Sequence, residues 1–166
     1  MEVRPATIAD LDAIMRLFNA LIPTTTIAWR DELATRAEME EWWVHQERAG
    51  APTLVADKDG EVIGYTTWTS FRGGPRFPGY RYAAELTIHV DGRCHRQGVG
   101  RALLTALIDV AREREIHVLV AGLDADNASS IALHRALGFE EVARMPEVGT
   151  KFGRWLDLVL MQRIIT

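Results

Sequence analysis

The sequence has little of what marks several classes of protein. Its 166 residues include one cysteine, Cys94, so no disulfide can form within the chain. Its 19 Lys and Arg against 23 Asp and Glu give a net charge of −4, which disfavours nucleic acid as a partner. No apolar stretch is long enough to cross a membrane, and the first residues lack the basic segment and apolar core of a signal peptide. These absences predict a cytoplasmic protein that binds neither nucleic acid nor a membrane.

One domain is predicted for residues 1–166, because no repeat or linker divides them. Apolar periodicity and turn signals predict the order β-α-α-β-β-β-α-β-α-β-β, a mixed α/β (α+β) fold with helices on both faces of a sheet. The predicted strands are 2–5, 53–56, 62–68, 82–90, 117–123, 139–145 and 154–161, the helices are about 11–21, 33–48, 100–115 and 128–137, and the loops include 22–32, 71–79 and 146–153. Thr7 and Asp10 predict a capping box before the first helix, and Asn127 predicts an N-cap for the fourth. We interpret Trp42, Trp43, Trp68 and Trp155 as packing residues.

Two glycines, Gly98 and Gly100, stand between the strand 82–90 and the helix that follows it. The first amides of a helix lack partners within the helix and lie at the positive end of its dipole, where a phosphate binds. Arg101 and Ala102 occupy the positions at which a Walker A loop has Lys and Ser or Thr, and Leu103 is too bulky for a dinucleotide-binding fingerprint. The segment alone therefore indicates either an anion site or an ordinary strand-to-helix turn.

Two patterns resemble the GNAT acyltransferase superfamily. Residues 95–100, His-Arg-Gln-Gly-Val-Gly, are similar to its acyl-CoA loop Q/R-x-x-G-x-G/A, with His95 in place of Gln or Arg. Asn127 and residues 134–139, which end in Gly-Phe, resemble its pattern of Asn followed by a helix, with His134 at the aromatic position. The element order matches over nearly the whole chain. The resemblance implies a GNAT-like central mixed, mostly antiparallel sheet of about seven strands flanked by about four helices.

Three parts of the sequence resemble one subfamily within this superfamily. Residues 84–90, His134 and residues 148–157 look like those of phosphinothricin and methionine-sulfoximine N-acetyltransferases. This subfamily implies transfer of acetyl from acetyl-CoA to the α-amino group of a small amino acid or analogue, of the phosphinothricin, methionine sulfoximine or methionine sulfone type. It also implies direct attack in a ternary complex, without an acyl-enzyme on Cys94, and a homodimer. The alternatives are an N-acetyltransferase for a peptide N-terminus or an aminoglycoside, and a CoA-binding module without catalysis.

Glu85 is the predicted general base. Residue alternation places Glu85, Thr87 and His89 on one face of their strand, where a carboxylate is unfavourable unless it is paired or useful. An amine must lose a proton before it attacks a thioester, and a carboxylate accepts that proton directly or through a water. The resemblance implies His134 as the proton donor to the leaving thiolate. The alternative for His134 is a helix histidine that packs against the sheet.

The resemblance also implies the binding residues. The main chain of residues 88–90 would pair with the pantetheine arm as an added strand, and the amides of residues 96–101 would hold the pyrophosphate. The predicted acetyl-CoA contacts are Ile88, His89, Val90, Arg96, Gln97, Gly98, Val99, Gly100, Arg101 and Asn127. The predicted acceptor contacts are Arg72, Pro78, Gly79, Tyr80, Arg81, Glu85, Leu86, Thr87, Lys151 and Phe152. Arg72 and Arg81 are candidates because the guanidinium group binds carboxylates through two hydrogen bonds. The alternative for each is a solvated surface charge. Lys151 and Phe152 are expected to reach a neighbouring subunit's pocket, and no metal site is predicted.

Overall fold

The computed structural model describes residues 1–72 and 76–165. The strands of this part are β1 (Glu2–Pro5), β2 (Thr53–Lys58), β3 (Glu61–Ser70), β4 (Ala83–Val90), β5 (Val118–Asp124), β6 (Glu140–Lys151) and β7 (Arg154–Ile164), and its α-helices are α1 (Leu11–Leu21), α2 (Arg36–Ala49), α3 (Val99–Glu113) and α4 (Ala128–Ala136). The strands form one sheet in the order β1-β2-β3-β4-β5-β7-β6, in which only the β4–β5 pair is parallel. The predicted element order and mostly antiparallel sheet are confirmed, while residues 73–75 of the predicted loop 71–79 lie outside the described part.

Helices cover both faces of the sheet, as predicted. On one face, Ile14 of α1 and Trp43 of α2 pack with Tyr65 of β3. On the other face, Leu107 of α3 packs in a separate cluster with Leu119 of β5. Burying a side chain of this size stabilises the fold by about 2 kcal/mol. None of the helices in residues 1–72 and 76–165 is both long and apolar enough to span a membrane.

Side-chain caps determine where the first two helices begin. The carboxylate of Asp10 accepts a hydrogen bond from the Thr7 N–H (2.8 Å), which confirms the predicted capping box, at the 3₁₀ turn Ile8–Asp10 that leads into α1. α2 begins three residues later than predicted, because Thr35 and Glu38 form a capping box. Thr35 Oγ1 accepts from the Glu38 N–H (3.2 Å), and the Glu38 carboxylate accepts from the Thr35 N–H (2.7 Å).

The predicted loop 146–153 is wrong in most of its length, because β6 continues to Lys151 and pairs with β7. Pro146 suggested a break, since proline has no N–H to donate. The register between β6 and β7 shifts between Met145 and Gly149, and Pro146 lies within this irregular stretch, where a proline is tolerated. The packing prediction is also wrong for Trp155 of β7, whose side chain is 66% exposed.

An ion triad joins β1 to the start of α1 and to β2. Arg4 donates to both carboxylate oxygens of Asp10 (2.9 Å each) and to Asp57 Oδ2 (2.9 Å). The Arg4 guanidinium lowers the pKa of Asp10 to about 2, against the opposing effect of partial burial. Because the pKa of this carboxyl is lower in the folded state than in the unfolded chain, the triad stabilises the fold above pH 4.

We predict that Asp10→Asn lowers the free energy of unfolding by about 2 kcal/mol at pH 7, since it removes the charge that Arg4 pairs with. In the wild type this contribution disappears as the pH falls from about 4 to 2. Urea unfolding at several pH values measures both effects. Asp12→Asn is the control, because Asp12 forms an exposed pair with Arg36 that is worth under about 1 kcal/mol. Equal stability of the two variants would contradict the prediction.

Candidate active site

The parallel strands β4 and β5 separate before they end. Their last paired residues are Leu86 and Ala121, although β4 continues to Val90 and β5 to Asp124. β4 therefore keeps its pairing with β3 while its other edge has no neighbouring strand along this stretch. Free main-chain groups at such an edge can pair with an extended ligand, as an added strand would. This is the geometry predicted for residues 88–90.

A groove of about 1230 Å³ opens where the strands separate, large enough for a coenzyme-sized ligand. The end of β4 and the loop before α3 form one wall, β5 and α4 form the other, and residues 27–30 of the α1–α2 loop close one end. The predicted site residues that line it are Leu86, Thr87, Ile88, His89, Val90, Arg96, Gly98, Val99, Gly100, Arg101, Asn127 and His134. The structure thus brings nearly all predicted coenzyme residues together.

The two glycines before and within α3 are needed for different reasons. Gly98 precedes the helix with a φ of 84°, a left-handed conformation that favours glycine. A Cβ on Gly100 would lie 3.1 Å from Leu133 of α4, so the missing side chain allows close packing. The first hydrogen bond of α3 runs from the Ala102 N–H to the Gly98 carbonyl (3.0 Å). The preceding amides have no partner within the helix, and amides in this position can bind an anion.

Two side chains hold the loop before α3 in place. The Nε2–H of His95 donates a hydrogen bond to the Val90 carbonyl (3.2 Å), which connects the loop to the end of β4. Gln97 donates to the Arg93 carbonyl (3.0 Å) and is not among the groove-lining residues. His95, which departs from the superfamily pattern, therefore has a structural role here.

α4 presents His134 to the groove as a neutral imidazole. Asn127 caps the helix, because its Oδ1 accepts from the Ser130 N–H (3.1 Å), as predicted. The Nδ1–H of His134 donates to the Ser130 carbonyl (2.8 Å), and Nε2 has no hydrogen-bond partner in the described structure. Burial lowers the pKa of His134, and the Ser130 carbonyl opposes this only in part. At neutral pH Nε2 therefore carries a lone pair and no proton.

Glu85 lies at the edge of the groove. Its Oε1 is 3.3 Å from the position of a Cβ on Gly122, and Gly122 lines the groove while Glu85 does not. His89 is on the same face of β4, where its ring contacts those of Phe18 (5.8 Å) and Tyr65 (5.2 Å). Burial lowers the pKa of His89 to about 4, so this histidine is neutral and a poor base. Glu85 is exposed, and its role as general base stays a prediction.

The residues that lead into β4 remain predictions as acceptor contacts. Arg72, Pro78, Gly79, Tyr80 and Arg81 are exposed and do not line the groove. Arg81 donates to the Pro78 carbonyl (2.9 Å), and its guanidinium lies 4.6 Å from the centre of the Tyr82 ring. The structure places these residues at the opposite end of β4 from the anion site.

Lys151 is buried under the α1–α2 loop and does not face the groove of its own protomer. The residue is only 3% exposed, and its Nζ donates to the carbonyls of Thr25 (2.8 Å) and Ala28 (2.6 Å). Burial lowers its pKa. Lys151 is not among the groove-lining residues, and its contact with an acceptor in a neighbouring subunit's pocket stays a prediction. Phe152, next to it, is exposed.

Trp29 makes a second contact between the same loop and β6. Its indole lies so close to Gly149 that a Cβ there would be 2.2 Å from the ring. The indole N–H donates to the Thr26 carbonyl (2.8 Å), which fixes the ring on its own loop. Residues 149–151 thus position the loop that closes one end of the groove.

Sequence reasoning missed three contributors to the site. The groove wall at residues 27–30 was predicted only as a loop, and nothing local indicated its contact with β6. Ser130 precedes His134 by one helical turn, so the spacing could have indicated their hydrogen bond. Asp124, at the end of β5, lines the groove and is buried, which no periodic pattern indicates.

Comparison with known proteins agrees with this geometry. The pattern of the Acetyltransferase (GNAT) family matches residues 14–139. An L-methionine sulfoximine/L-methionine sulfone acetyltransferase from Pseudomonas aeruginosa is 42% identical over 162 residues, which cover 97% of this chain and 92% of that protein. The chain belongs to the GNAT acetyltransferase family.

Solved structures share the fold. A GNAT superfamily phosphinothricin acetyltransferase from Sinorhizobium meliloti, in complex with acetyl-CoA, has a TM-score of 0.93 at 33% identity, covering 99% of this chain and 88% of that one. A ribosomal-protein-alanine N-acetyltransferase from Brucella melitensis has a TM-score of 0.94 at 43% identity, covering 99% of both chains. The family uses acetyl-CoA, and the open edge of β4 and the unpartnered amides before α3 fit this co-substrate.

We predict that Lys151→Met loosens the α1–α2 loop, because it removes two hydrogen bonds from loop carbonyls. Each charged hydrogen bond of this kind is worth about 1.5–3 kcal/mol. Amide hydrogen exchange in residues 22–30 should become at least tenfold faster, while exchange in α3 stays the same. Lys58→Met is the control, since Lys58 is the other lysine of the chain and is exposed at a hairpin. Unchanged exchange in the loop would contradict the positioning role.

Proposed function

We propose that this protein is an N-acetyltransferase that transfers acetyl from acetyl-CoA to the α-amino group of a small amino acid or analogue. The observation that carries the proposal is the groove between β4 and β5. The N-terminus of α3 lines this groove, and Glu85 lies next to Gly122, which also lines it. The acceptor class is supported by the relatives, which are named for L-methionine sulfoximine, L-methionine sulfone and phosphinothricin.

The coenzyme residues act by position and by partial charge. The amides before and at the start of α3 hold the pyrophosphate, and the exposed Arg96 and Arg101 add positive charge beside it. The main chain of residues 88–90 pairs with the pantetheine arm. Acetyl-CoA supplies the thioester carbonyl that the amine attacks, and CoA is released as the thiol.

Glu85 receives the proton of the acceptor's amino group. An amino acid is protonated on nitrogen at neutral pH, and the ammonium has no lone pair to attack with. A carboxylate at the edge of the groove accepts this proton directly or through a water, which leaves the neutral amine in place. Gly122 provides the space next to the carboxylate, because it has no side chain.

In the predicted role of His134 as proton donor to the CoA thiolate, the imidazole begins the reaction in its neutral form. Its Nδ1–H is engaged by the Ser130 carbonyl and its Nε2 carries no proton at neutral pH. A role as donor to the thiolate requires that Nε2 first take up a proton during the turnover. The attacking amine loses a second proton when the amide forms, and Nε2 can take up that proton. Burial disfavours the charged imidazolium and so favours its transfer to the thiolate, which leaves as the CoA thiol.

The test is a panel of acceptors with purified protein and acetyl-CoA, followed by release of the CoA thiol. We expect methionine sulfoximine, methionine sulfone and phosphinothricin to be acetylated. Glu85→Gln should lower kcat by about 10²–10⁴-fold, since it removes the general base without changing shape. Glu113→Gln is the control, because Glu113 is an exposed glutamate at the opposite end of α3 from the groove. Full activity of Glu85→Gln would refute the base assignment, and no thiol release with any amine would favour a CoA-binding module.

A peptide N-terminus is the second candidate acceptor. A relative that is 43% identical is named as a ribosomal-protein-alanine N-acetyltransferase. A hexapeptide that begins with alanine, and an aminoglycoside, therefore belong in the same panel. A kcat/KM for the peptide above that for every amino acid would reverse the preference proposed here.

We also propose that the protein is a cytoplasmic homodimer whose subunits meet at the β6–β7 hairpin. Five apolar side chains of this hairpin are exposed: Val142, Met145, Val148, Phe152 and Trp155. β6 is also an edge strand of twelve residues, and long exposed edges are usually covered in native proteins. A second copy of the chain supplies a matching apolar surface and edge. The free thiol of Cys94 is compatible with a reducing compartment.

We predict that Trp155→Glu converts the dimer to a monomer, because a charge at the centre of an apolar interface stays unpaired. Analytical ultracentrifugation at micromolar concentration measures the mass. Leu33→Glu is the control, since Leu33 is similarly exposed before α2 and outside the hairpin. A monomeric wild type, or a dimeric Trp155→Glu variant, would refute the proposed interface.

A further inference from the structure

Asp124 is a buried carboxylate that the roles assigned so far do not use. It ends β5, lines the groove, and is only 5% exposed. Oδ1 accepts from the Asp126 N–H (3.0 Å), whereas Oδ2 is inaccessible and has no hydrogen-bond partner within the described residues. Burying a polar atom without a partner costs free energy, so such an atom in a binding groove indicates a role in binding.

The side chains of Asp124 and Glu85 lie on the same face of the sheet. A Cβ on Gly122 would point toward Glu85 Oε1, at 3.3 Å. Because side chains alternate along a strand, Asp124, two residues further along β5, lies on the same face as Gly122. Leu119 and Ala121 point to the other face, into the cluster that α3 covers.

Gly122 separates the two carboxylates. One two-residue step along a strand is about 7 Å, so Asp124 lies roughly that far along β5 from the glycine that Glu85 approaches. The glycine leaves the surface between them without a side chain. A small cationic group at this position would have a carboxylate on either side.

We propose that Asp124 is a second carboxylate of the acceptor site, and that its Oδ2, exposed to the groove by a rotation of the side chain, accepts a hydrogen bond from the protonated amino group of the incoming acceptor. This inference rests on the proposed transfer of acetyl to an amine. Asp124 holds the ammonium, and Glu85 takes the proton from it. Asp124 therefore favours substrates with a positively charged amino group over isosteres that lack one.

An amide N–H of the coenzyme is the other donor that could meet Oδ2. The acceptor is favoured, because Asp124 shares its face with Glu85 and lies opposite the face of α3, whose N-terminus forms the anion site. The two donors are distinguished by kinetics. Loss of the carboxylate raises the KM for the amine if the acceptor is the donor, and the KM for acetyl-CoA if the coenzyme is.

The test compares Asp124→Asn with Asp126→Asn. Asparagine retains an oxygen for the Asp126 N–H but removes the charge, while Asp126 is a matched neighbour whose side chain is 70% exposed and pairs with Arg154. With methionine sulfoximine as acceptor, we expect Asp124→Asn to raise the KM for the amine about 10–100-fold. The KM for acetyl-CoA should change less than twofold, and Asp126→Asn should resemble the wild type.

A second measurement separates binding from a structural effect. In the α-hydroxy analogue of the acceptor, a hydroxyl replaces the amino group. For the wild type, the inhibition constant of this analogue should be far higher than the dissociation constant of the amine, and the ratio of the two constants measures the preference for the amine. Asp124→Asn should reduce this preference at least tenfold, which a merely loosened structure would not do. An unchanged KM for the amine with an unchanged preference overturns the proposal, as does a rise confined to the KM for acetyl-CoA.

The proposed function can fail independently of this inference. Absence of turnover by the wild type with every amine contradicts the function itself. A wild type that turns over the amine while Asp124→Asn behaves identically contradicts only the role of Asp124. Should Asp124→Asn fold poorly, as judged by thermal unfolding, the wild type alone still decides, because equal affinity for the amine and its hydroxy analogue overturns the proposal.

Discussion

β4 and β5 are hydrogen-bonded to each other only as far as Leu86 and Ala121, and the site depends on their separation beyond that pair. Each strand keeps its other neighbour throughout, since β4 pairs with β3 as far as Val90 and β5 pairs with β7 as far as Asp124. The sheet is thus two well-paired halves joined at one end. The separation provides a groove, a free strand edge and access to both faces without breaking the ladders within either half.

Burial determines the protonation states around this groove. His89 and His134 are both neutral because charging a buried imidazole is costly, and the Ser130 carbonyl fixes which nitrogen of His134 carries the proton. Positive potential at the groove comes instead from the first amides of α3 and from the exposed Arg96 and Arg101. Glu85 lies near the start of β4, whereas the N-terminus of α3 follows the end of that strand.

Residues 27–30 of the α1–α2 loop, which close one end of the groove, are held in place by contacts with β6. Lys151 and Gly149 of β6 hold residues 25–29 through two hydrogen bonds and one close ring contact. The same hairpin exposes Phe152 and Trp155 to solvent in one protomer. The exposed apolar side chains and the contacts that position this wall therefore lie on the same hairpin.

The sequence by itself determined the element order, the faces of β4, the caps at Thr7 and Asn127 and the turn at Gly98, because each depends on residues within one or two turns of one another. It did not determine that β6 passes through Pro146, since strand pairing with β7 tolerates the proline at an irregularity. Only the tertiary structure placed Lys151 against Thr25, 126 residues away, and the unpartnered oxygen of Asp124 in the groove. Such contacts are decided by packing between distant segments, which local periodicity does not encode.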